Sequence, residues 1–324
     1  MDTTELKATQ TIGFFLTENF ALMSFASAIE PLRAANLIAG ISLYEVVLLS
    51  IEGRPITSSA GLPVVCQDLD DVGGKCHTIF VCAGGNSADW VSSVDAYPSL
   101  RKFARQGVRL GGISSGSFIL AAAGLLEKRD FTIHWEHAGV LKEAYPHLSP
   151  RQTRFVIDMD RVTCAGGVAP LDMMHAIIAE RMGEHFARRV SDWYLHTAVA
   201  EPGASQRASA AERFGTHHPA LLTILEKMEA TIEQPLDRKR MAQVVGMSIR
   251  HLDRLFAENL NSSFLETYRS VRLTHARRLL EQSPLSIAQI AFATGFSSAG
   301  HFSRTFGIQF GATPHVYRKK YSAR

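Results

Sequence analysis

The chain has 324 residues, which is long for one domain and comfortable for two. Its 46% hydrophobic and 20% charged residues suit a globular protein and exclude a fibrous or disordered one. The polar opening MDTTELKATQ lacks a signal-peptide core, and no apolar run reaches the roughly 18 residues that a membrane span requires. We therefore expect a cytoplasmic protein with no membrane partner.

Four cysteines lie in the first half of the chain, at positions 66, 76, 82 and 164. They have neither the CxxC spacing of a zinc site nor the density of a disulfide scaffold. We interpret them as reduced, mostly buried thiols, and we expect neither a metal nor a cofactor.

The net charge of +3 is divided unevenly along the chain. From Gln206 to Arg324 there are 17 Lys and Arg against 9 Asp and Glu, and before Gln206 there are 17 against 22. The C-terminal part is therefore +8 and the N-terminal part −5. A basic domain favours a polyanionic partner, because neutralised phosphates release counterions, although a solvated basic face has the same composition.

From residue 11 to about residue 197, short apolar runs alternate with longer amphipathic stretches. The predicted strands are TIGFFLT, YEVVLLSI, TIFVCAG, VRLGGIS and FTIHW. The predicted helices are FALMSFASAIEPLRAANLIAG, AYPSLRKFARQG, GSFILAAAGLL and the stretch PLDMMHAIIAERMGEHFARRVSDWYLHTA. This alternation is typical of a mostly parallel sheet covered by helices, so we predict an open α/β domain of the flavodoxin-like type.

The stretch EPGASQRASAAERFGTHHP is rich in Pro, Gly, Ala and Ser and poor in large apolar residues. We place a linker there, over residues 201–216, between an α/β domain at 1–200 and a second domain at 217–324. From Pro219 onward the helical period dominates, which predicts an all-α second domain.

One pattern occurs twice in the second domain, as AQVVGMS followed by HLDRLF and as AFATGFS followed by HFSRTF, with one extra residue before the second His. The small Ala lets two helices approach, the Gly four residues later takes a left-handed turn, and the following Ser can cap the next helix. The pattern predicts two helix-turn-helix units joined by the helix-like stretch FLETYRSVRLTHARRLLEQ. One copy alone is as well explained by a plain αα-hairpin, but two matched copies in a basic domain favour DNA binding.

The second helix of each unit is expected at roughly 248–259 and 298–309, with Leu252, Phe256, Phe302 and Phe306 buried on one face. The opposite face is free to enter a major groove, where Arg can pair bidentately with guanine and Gly permits close approach. The predicted DNA-binding residues are Ser248, Arg250, His251, Asp253, Arg254, Ser298, Gly300, His301 and Arg304.

In the α/β half, polar and glycine residues converge on the carboxyl ends of the strands, where open sheets bind ligands. The segment from Gly112 to Gly116 has the pattern of a nucleophile elbow that exposes Ser114. His134, in FTIHW, would be the natural base, so a hydrolase that uses Ser114, His134 and Glu30 is a rival interpretation. The candidate effector-binding residues are Glu30, Gly84, Gly85, Ser114, Ser115, His134, Trp135 and Glu136.

Residues 219–321 resemble the DNA-binding domain of the AraC/XylS family, above all in SIAQIAFATGFSSAGHFSRTFGIQFGATPHVYRKKY. Residues 11–196 resemble the PfpI-like branch of the class I glutamine-amidotransferase superfamily, whose enzymes place a Cys where this chain has Ser114. The fusion is similar to the GlxA-like group, and TIGFFLTENFALMSFASAIEPLRAAN and HWEHAGVLKEAYP resemble regulators of glycine betaine, carnitine and arginine catabolism. The resemblance implies a regulator rather than an enzyme, with an effector in the former enzyme pocket.

We therefore expect a sequence-specific transcriptional activator that responds to a small nitrogenous metabolite, such as betaine, carnitine or an amino acid. A quaternary ammonium group needs an aromatic face and a carboxylate, which Trp135 with Glu30 or Glu136 can supply. The same residues are also explained as core packing, a helix cap and a satisfied histidine. The expected partners are operator DNA, the effector, a second copy bound through the α/β domain, and RNA polymerase.

Two other functions compete with this one. The first is an amidase or deglycase with an accessory DNA-binding domain. The second is an architectural protein that binds DNA without an effector and with little sequence discrimination.

Overall fold

A computed structural model describes residues 8–86, 89–90, 93–208 and 210–322. The chain divides into two compact units, Met1–Gln206 and Arg207–Arg324, which we call the first and the second unit. Their boundary lies inside the predicted linker. Gln206 makes hydrogen bonds within the first unit, whereas Arg213 pairs with Glu229 at 2.7 Å in the second unit.

The first unit is built on strands β1 to β9. They are β1 (Gln10–Leu16), β2 (Tyr44–Ser50), β3 (Ile56–Thr57), β4 (Pro63–Val64), β5 (Gln67–Asp68), β6 (Thr78–Ala83), β7 (Arg109–Ser114), β8 (Phe155–Asp158) and β9 (Arg161–Cys164). Seven of them form one sheet in the order β5-β2-β1-β6-β7-β9-β8, and β3 and β4 pair separately. Within the sheet all neighbours are parallel except the antiparallel pair of β8 and β9.

Helices of the first unit cover this sheet. They are α1 (Leu22–Ala39), α2 (Leu69–Val72), α3 (Tyr97–Arg105), α4 (Gly116–Ala122), α5 (Ala138–Ala144), α6 (Ala169–Met182) and α7 (Glu184–Trp193). One core cluster joins β1 and β6 to α1 and α6 through buried side chains such as Phe14, Phe80, Leu32 and Met173. β6 is buried along its whole length, as expected for a central parallel strand. The predicted α/β class is confirmed.

One predicted strand is wrong. FTIHW, at residues 131–135, forms only an isolated bridge between Thr132 and Arg151, and β9 takes the place beside β7. Phe131 and Ile133 of this segment are nevertheless buried, and Thr132 N donates to Thr163 Oγ1 at 2.9 Å, which fixes the segment against β9. Its alternating pattern therefore indicated burial rather than strand pairing.

The second unit is helical throughout its described residues, as predicted. Its helices are α8 (Ala210–Phe214), α9 (Pro219–Ala230), α10 (Arg238–Val244), α11 (Ile249–Leu260), α12 (Phe264–Gln282), α13 (Ile287–Ala293), α14 (Ala299–Phe310) and α15 (Pro314–Ser322). Across the parts of both units that the structure describes, none of the helices is long and apolar enough to cross a bilayer.

The long helix α12 is the structural centre of the second unit. A capping box of Ser263 and Glu266 fixes its first turn. Near this end, Phe264 and Tyr268 belong to the core that α9, α10 and α11 build. Near the other end, Glu281 accepts a hydrogen bond from Tyr317 of α15 at 2.8 Å. The predicted connector is therefore one continuous helix that packs against both halves of the unit.

Candidate DNA interface and effector site

Both predicted helix-turn-helix turns adopt the left-handed backbone that glycine favours. Gly246 has φ +66° and Gly295 has φ +72°. At Gly295 a side chain would also lie 2.7 Å from the carbonyl oxygen of Ile232 and from the ring of Pro235. The second turn therefore requires glycine for two reasons, and the first, which faces open space, for its backbone alone.

Serine residues cap both recognition helices, α11 and α14. Ser248 Oγ accepts from His251 N at 3.2 Å, and Ser298 Oγ accepts from His301 N at the same distance. In the second copy the cap is thus Ser298 and not Ser297. The extra residue of that copy therefore lies in the turn, before the helix begins. The two helices begin one residue after their caps, at Ile249 and Ala299.

Each recognition helix has a buried face and an exposed face. Leu252, Phe256, Phe302 and Phe306 are fully buried, as predicted. The predicted contact residues that are exposed are Ser248, Arg250, His251, Arg254, Ser298, Gly300, His301 and Arg304. Both helices therefore present polar and cationic side chains to solvent, as a helix that enters a major groove requires.

The charged residues on these exposed faces differ in their partners. Asp253 is partly buried, and its carboxylate pairs with Arg238 of α10 at 3.1 Å, which ties α11 to the preceding helix. Arg254, whose side chain is 65% exposed, is 3.8 Å from Glu258. In residues 210–322, no carboxylate lies within ion-pair distance of Arg250 or Arg304. These guanidinium groups are available to phosphates or base edges.

Helix α12 fixes the second helix-turn-helix unit through contacts that the sequence analysis missed. Arg272 Nε donates to the carbonyl oxygen of Thr294 at 2.7 Å, and its guanidinium lies 4.2 Å from the ring centroid of Phe296. Gln309 of α14 donates to Ser270 Oγ at 3.2 Å. Both the turn and the recognition helix of this unit are thus bound to the connector.

In the first unit, Ser114 forms a sharp elbow at the end of β7. Its φ is +58°, a strained value for a residue other than glycine, and its side chain is 6% exposed. A side chain at Gly116 would lie 1.9 Å from the carbonyl oxygen of Val81, and one at Gly112 would lie 2.7 Å from Ser117 N. These two glycines allow α4 to begin directly against β6 and β7.

Residues from two other segments surround Ser114. A side chain at Gly166 would lie 2.8 Å from Ser114 Cβ and 3.0 Å from Ser24 Oγ, and Ser24 Oγ accepts from Gly167 N at 2.8 Å. The sequence pattern alone did not indicate Ser24, Gly166 or Gly167 as site residues. The signal that could have found the glycines is their position just after β9, a strand that the pattern did not predict.

The glycine pair at residues 84 and 85 lies beside the elbow, as the parallel sheet predicts, because Ala83 pairs with Ser114. A side chain at Gly84 would lie 2.3 Å from the carbonyl oxygen of Asn19, so that the two loops are in close contact. The Gly84 carbonyl accepts a hydrogen bond from Trp90 Nε1 at 2.7 Å.

An aromatic cluster extends from Trp90 to the segment that carries His134 and Trp135. The ring centroids of Trp90 and His137 are 5.1 Å apart, those of His134 and His137 5.5 Å, and those of His134 and Trp135 5.6 Å. Glu136 Oε2 lies 4.0 Å from His134 Nδ1. Burial lowers the pKa of His134 and Glu136 opposes this effect, so the imidazole is neutral at pH 7.

The hydrolase geometry is not present in the described residues of the first unit. There, no hydrogen bond joins Ser114 Oγ to His134 or to any carboxylate. Glu30 pairs with Arg33 at 2.7 Å, and its carbonyl accepts from the Tyr194 hydroxyl. Glu30 is nearly two turns further along α1 than Ser24, the residue that borders the elbow. Ser115 is fully buried, and its hydroxyl has no partner in this part of the chain.

The cysteines are free and buried, as predicted. Burial raises the pKa of Cys164 to about 12 and that of Cys76 to about 11, so both are neutral thiols at pH 7. Among the residues that the structure describes, no group of three or more His, Cys, Asp or Glu is arranged to hold a metal ion.

Comparisons with known proteins cover both units. Residues 10–180 match the DJ-1/PfpI family, and residues 241–320 match the helix-turn-helix domain. The chain is 64% identical over 311 residues, 96% of each protein, to the HTH-type transcriptional regulator GlxA of Rhizobium meliloti (strain 1021). The chain belongs to this family of HTH-type transcriptional regulators. It is therefore a DNA-binding regulator and not an enzyme, as predicted.

Two further proteins that are similar to this chain are also transcriptional regulators. The HTH-type transcriptional regulator GbdR of Pseudomonas aeruginosa (strain UCBPP-PA14) is 37% identical over 310 residues, which are 96% of this chain and 84% of that protein. The crystal structure of an AraC family transcriptional regulator from Pseudomonas putida is 26% identical, with a TM-score of 0.53 over 57% of this chain and 99% of that one. The resemblance to AraC-type regulators with a PfpI-like domain is thus confirmed.

Proposed function

We propose that this regulator is a cytoplasmic transcriptional activator whose first unit binds a small nitrogenous metabolite beside Ser114. Binding there controls sequence-specific recognition of an operator by the second unit. The observation that carries this proposal is an elbow with a strained backbone and tight glycine packing, but with no base or carboxylate on Ser114 in the described residues. A strained site that has no catalytic partner indicates binding rather than turnover.

The residues around the elbow suit a zwitterion such as betaine, carnitine or an amino acid. Trp135 and His134 offer aromatic faces to an ammonium group, and Glu136 offers a carboxylate close to them. On the other side we propose contacts from Gly84, Gly85 and Ser114, whereas Ser115, which is fully buried, would act through the elbow rather than by direct contact. Glu30, which is paired with Arg33, would shape the first unit only at a distance from the ligand.

For the second unit we propose that α11 and α14 enter successive major grooves, which are about one helical turn of DNA apart. Arg250, Arg254 and Arg304 contact bases or phosphates, and Asp253 acts by holding α11 against Arg238. The remaining contacts come from Ser248, His251, Ser298, Gly300 and His301.

The domain organisation that we propose has sensing at residues 1–200, a relay at 201–216 and DNA binding at 217–324. A second copy of the chain binds through the first unit, which places two pairs of recognition helices on one operator. Activation then requires a contact with RNA polymerase at the promoter.

A thermal-shift assay with glycine betaine, carnitine and arginine tests the effector site. An effector at ~100 times its Kd stabilises the protein by about 2.7 kcal/mol. We expect Trp135→Ala to lose this shift, whereas the matched variant Trp193→Ala, at a residue that is 53% exposed on α7, keeps it. Equal shifts in both variants, or no shift with any nitrogenous metabolite, would contradict the proposal. Amide turnover that Ser114→Ala abolishes would support the hydrolase instead.

A further inference from the structure

A cavity of about 250 Å³ lies at the edge of the sheet opposite to the elbow. It is bordered by Gln10, Thr78 and Arg109, the first residues of β1, β6 and β7, whereas Ser114 ends β7. Its remaining lining is mostly apolar and comes from Ile12, Leu32, Phe80, Met174 and Ile177. Nothing in the proposed effector site uses these residues.

The cavity adjoins a wider open basin of about 440 Å³. His77, Arg109 and Glu180 line both spaces, so they stand between the apolar interior and the surface. A ligand that enters from solvent would keep its polar end beside these three residues. Pockets for drug-sized ligands commonly measure ~300–1,000 Å³, so the inner cavity, which is slightly smaller than this range, suits a smaller molecule.

Arg109 has an unsatisfied donor at this place. Its side chain is 17% exposed, and its Nε is buried without a hydrogen-bond partner among the described residues. Its Nη1 is 3.4 Å from Glu180, a long contact with a carboxylate that is 63% exposed. A buried N–H of a charged group that lacks an acceptor is costly, and a ligand oxygen would satisfy it.

The charges around the cavity favour an anion. Arg181 is fixed by hydrogen bonds to the carbonyl oxygens of Leu43 and Ala8, at 2.7 Å and 2.6 Å. Burial lowers the pKa of His77, and the charges of Arg109 and Arg181 lower it further, so His77 is neutral at pH 7. The charged residues that line the cavity are therefore two permanent cations, Arg109 and Arg181, and one carboxylate, that of Glu180.

We infer that this cavity binds a small organic monocarboxylate, with the carboxylate group on Arg109 and an apolar body against Met174 and Ile177. Benzoate and hexanoate are representative probes of this class. The site is separate from the elbow and its existence does not depend on the effector proposed there. Helix α6 lines the cavity, and its first turn carries the buried Asp172, which pairs with Arg154. A ligand bound in the cavity would therefore be a second signal to the regulator, besides the effector.

Methionine methyl groups can test this site in the full-length protein. The chain has nine methionines, so labelling each ε-methyl with carbon-13 gives a small set of nuclear magnetic resonance signals. Met174 lines the cavity, and Met159 lines the outer basin. Met23 adjoins Ser24 near the elbow, and Met228 reports on the second unit. We expect benzoate to shift the Met174 signal saturably and to leave Met23 and Met228 in place.

Two variants separate the charge from the cavity. Arg109→Gln should weaken benzoate binding on the order of tenfold, because it removes a charge-assisted contact, and Ile177→Trp should abolish binding by filling the cavity. The matched variant Arg105→Gln removes an exposed arginine of α3 and should leave the affinity unchanged. Unshifted Met23 and Met228 signals in each variant verify that it is folded.

Several results would overturn the assignment. The first is that neither benzoate nor hexanoate shifts the Met174 signal. The second is that the Met159 or Met23 signal shifts while that of Met174 does not. The third is that Arg109→Gln and the wild type bind benzoate with equal affinity. Equal affinity for uncharged benzyl alcohol would also overturn it, since the cavity would then bind an apolar group without recognising a carboxylate.

Discussion

The side chain of Gln206 binds the backbone of Trp135, whose N–H donates to Gln206 Oε1 at 2.8 Å. Gln206 Nε2 lies within hydrogen-bond distance of the carbonyl oxygens of Ile133 and Thr153, each at 2.9 Å. Gln206 is the last residue of the first unit. The chain that leads into the second unit is therefore bound to the segment that carries His134 and Trp135. We expect a ligand at this segment to act directly on that connection.

The first prediction concerns this contact. Gln206→Ala should lower the free energy of unfolding of the first unit by on the order of 1–3 kcal/mol, because buried polar groups lose their partner. It should also reduce the effect of the effector on operator binding and leave the affinity without effector unchanged. All three tryptophans, Trp90, Trp135 and Trp193, lie in the first unit, so denaturant unfolding followed by their fluorescence reports on this unit alone.

Gln152→Ala is the matched control for this variant. Gln152 is exposed and lies next to Thr153, whose carbonyl oxygen is one of the partners of Gln206. It should leave both the stability and the effector response as in the wild type. If Gln206→Ala behaved in the same way as Gln152→Ala, the proposed relay through Gln206 would be wrong.

The second prediction concerns Asp172, which holds another part of the same connection. Its carboxylate is fully buried and lies 2.6 Å from Arg154 Nη2 and 2.7 Å from His196 Nε2, and it accepts from Ala200 N at 2.9 Å. Asp172→Asn leaves the Arg154 charge without its partner, so it should destabilise the first unit by about 3–5 kcal/mol. Tryptophan fluorescence during denaturant unfolding measures this loss.

Asp192→Asn, at an exposed residue of α7, provides the comparison for Asp172→Asn and should change the stability by less than about 0.5 kcal/mol. A similar small change in Asp172→Asn would show that the buried carboxylate contributes little. Asp172 lies in the first turn of α6, where the helix dipole favours a carboxylate, but its burial could not be predicted from helix position.

Local pattern was sufficient to predict most of the fold. The long apolar runs of β1, β2, β6 and β7 and the spacing of apolar residues in α1 each specify their element without distant partners. The two helix-turn-helix units were predictable because glycine and serine act within a few residues of their own positions. Strands β8 and β9 were not predicted, because each has four residues and includes polar ones, Asp158 in β8 and Arg161 and Thr163 in β9.

The effector site was only partly predictable, because its contacts join segments that are distant in the chain. VRLGGIS followed by Ser115 and Gly116 was enough to predict the elbow, since a strand-to-helix turn depends on adjacent residues. Ser24 and Gly166 reach Ser114 only through the folded sheet. His134 was considered as a base for the same reason, since chain position indicates the edge of the sheet but not the distance to Ser114.

The third prediction tests the DNA interface. Arg254→Ala and Arg304→Ala should each cost on the order of 1–3 kcal/mol of operator binding if the guanidinium pairs with a base, with relaxed sequence preference at that position. Gel-shift titrations at fixed salt concentration measure the cost. Arg105→Ala, in the first unit, removes the same charge away from the recognition helices and should leave affinity unchanged. Footprints that are unchanged in both recognition-helix variants would exclude these contacts.

The last prediction concerns acid sensitivity of the second unit, which depends on His275 in α12. Burial and the charge of Arg278 lower its pKa from 6.5 to about 4 in the folded protein. Between these two values the unfolded chain binds a proton that the folded protein does not. Stability is therefore complete above pH 6.5 and decreases as the pH falls toward 4, by up to about 1.4 kcal/mol per pH unit.

Replacing this histidine removes the group that titrates, so His275→Gln should flatten the loss of stability in that range. His315→Gln, at an exposed residue of α15, should retain the slope of the wild type. The ε-methyl signals of Met228 and Met241, both in the second unit, give its folded fraction in denaturant at each pH. An identical slope in His275→Gln and wild type would show that another group causes the acid sensitivity.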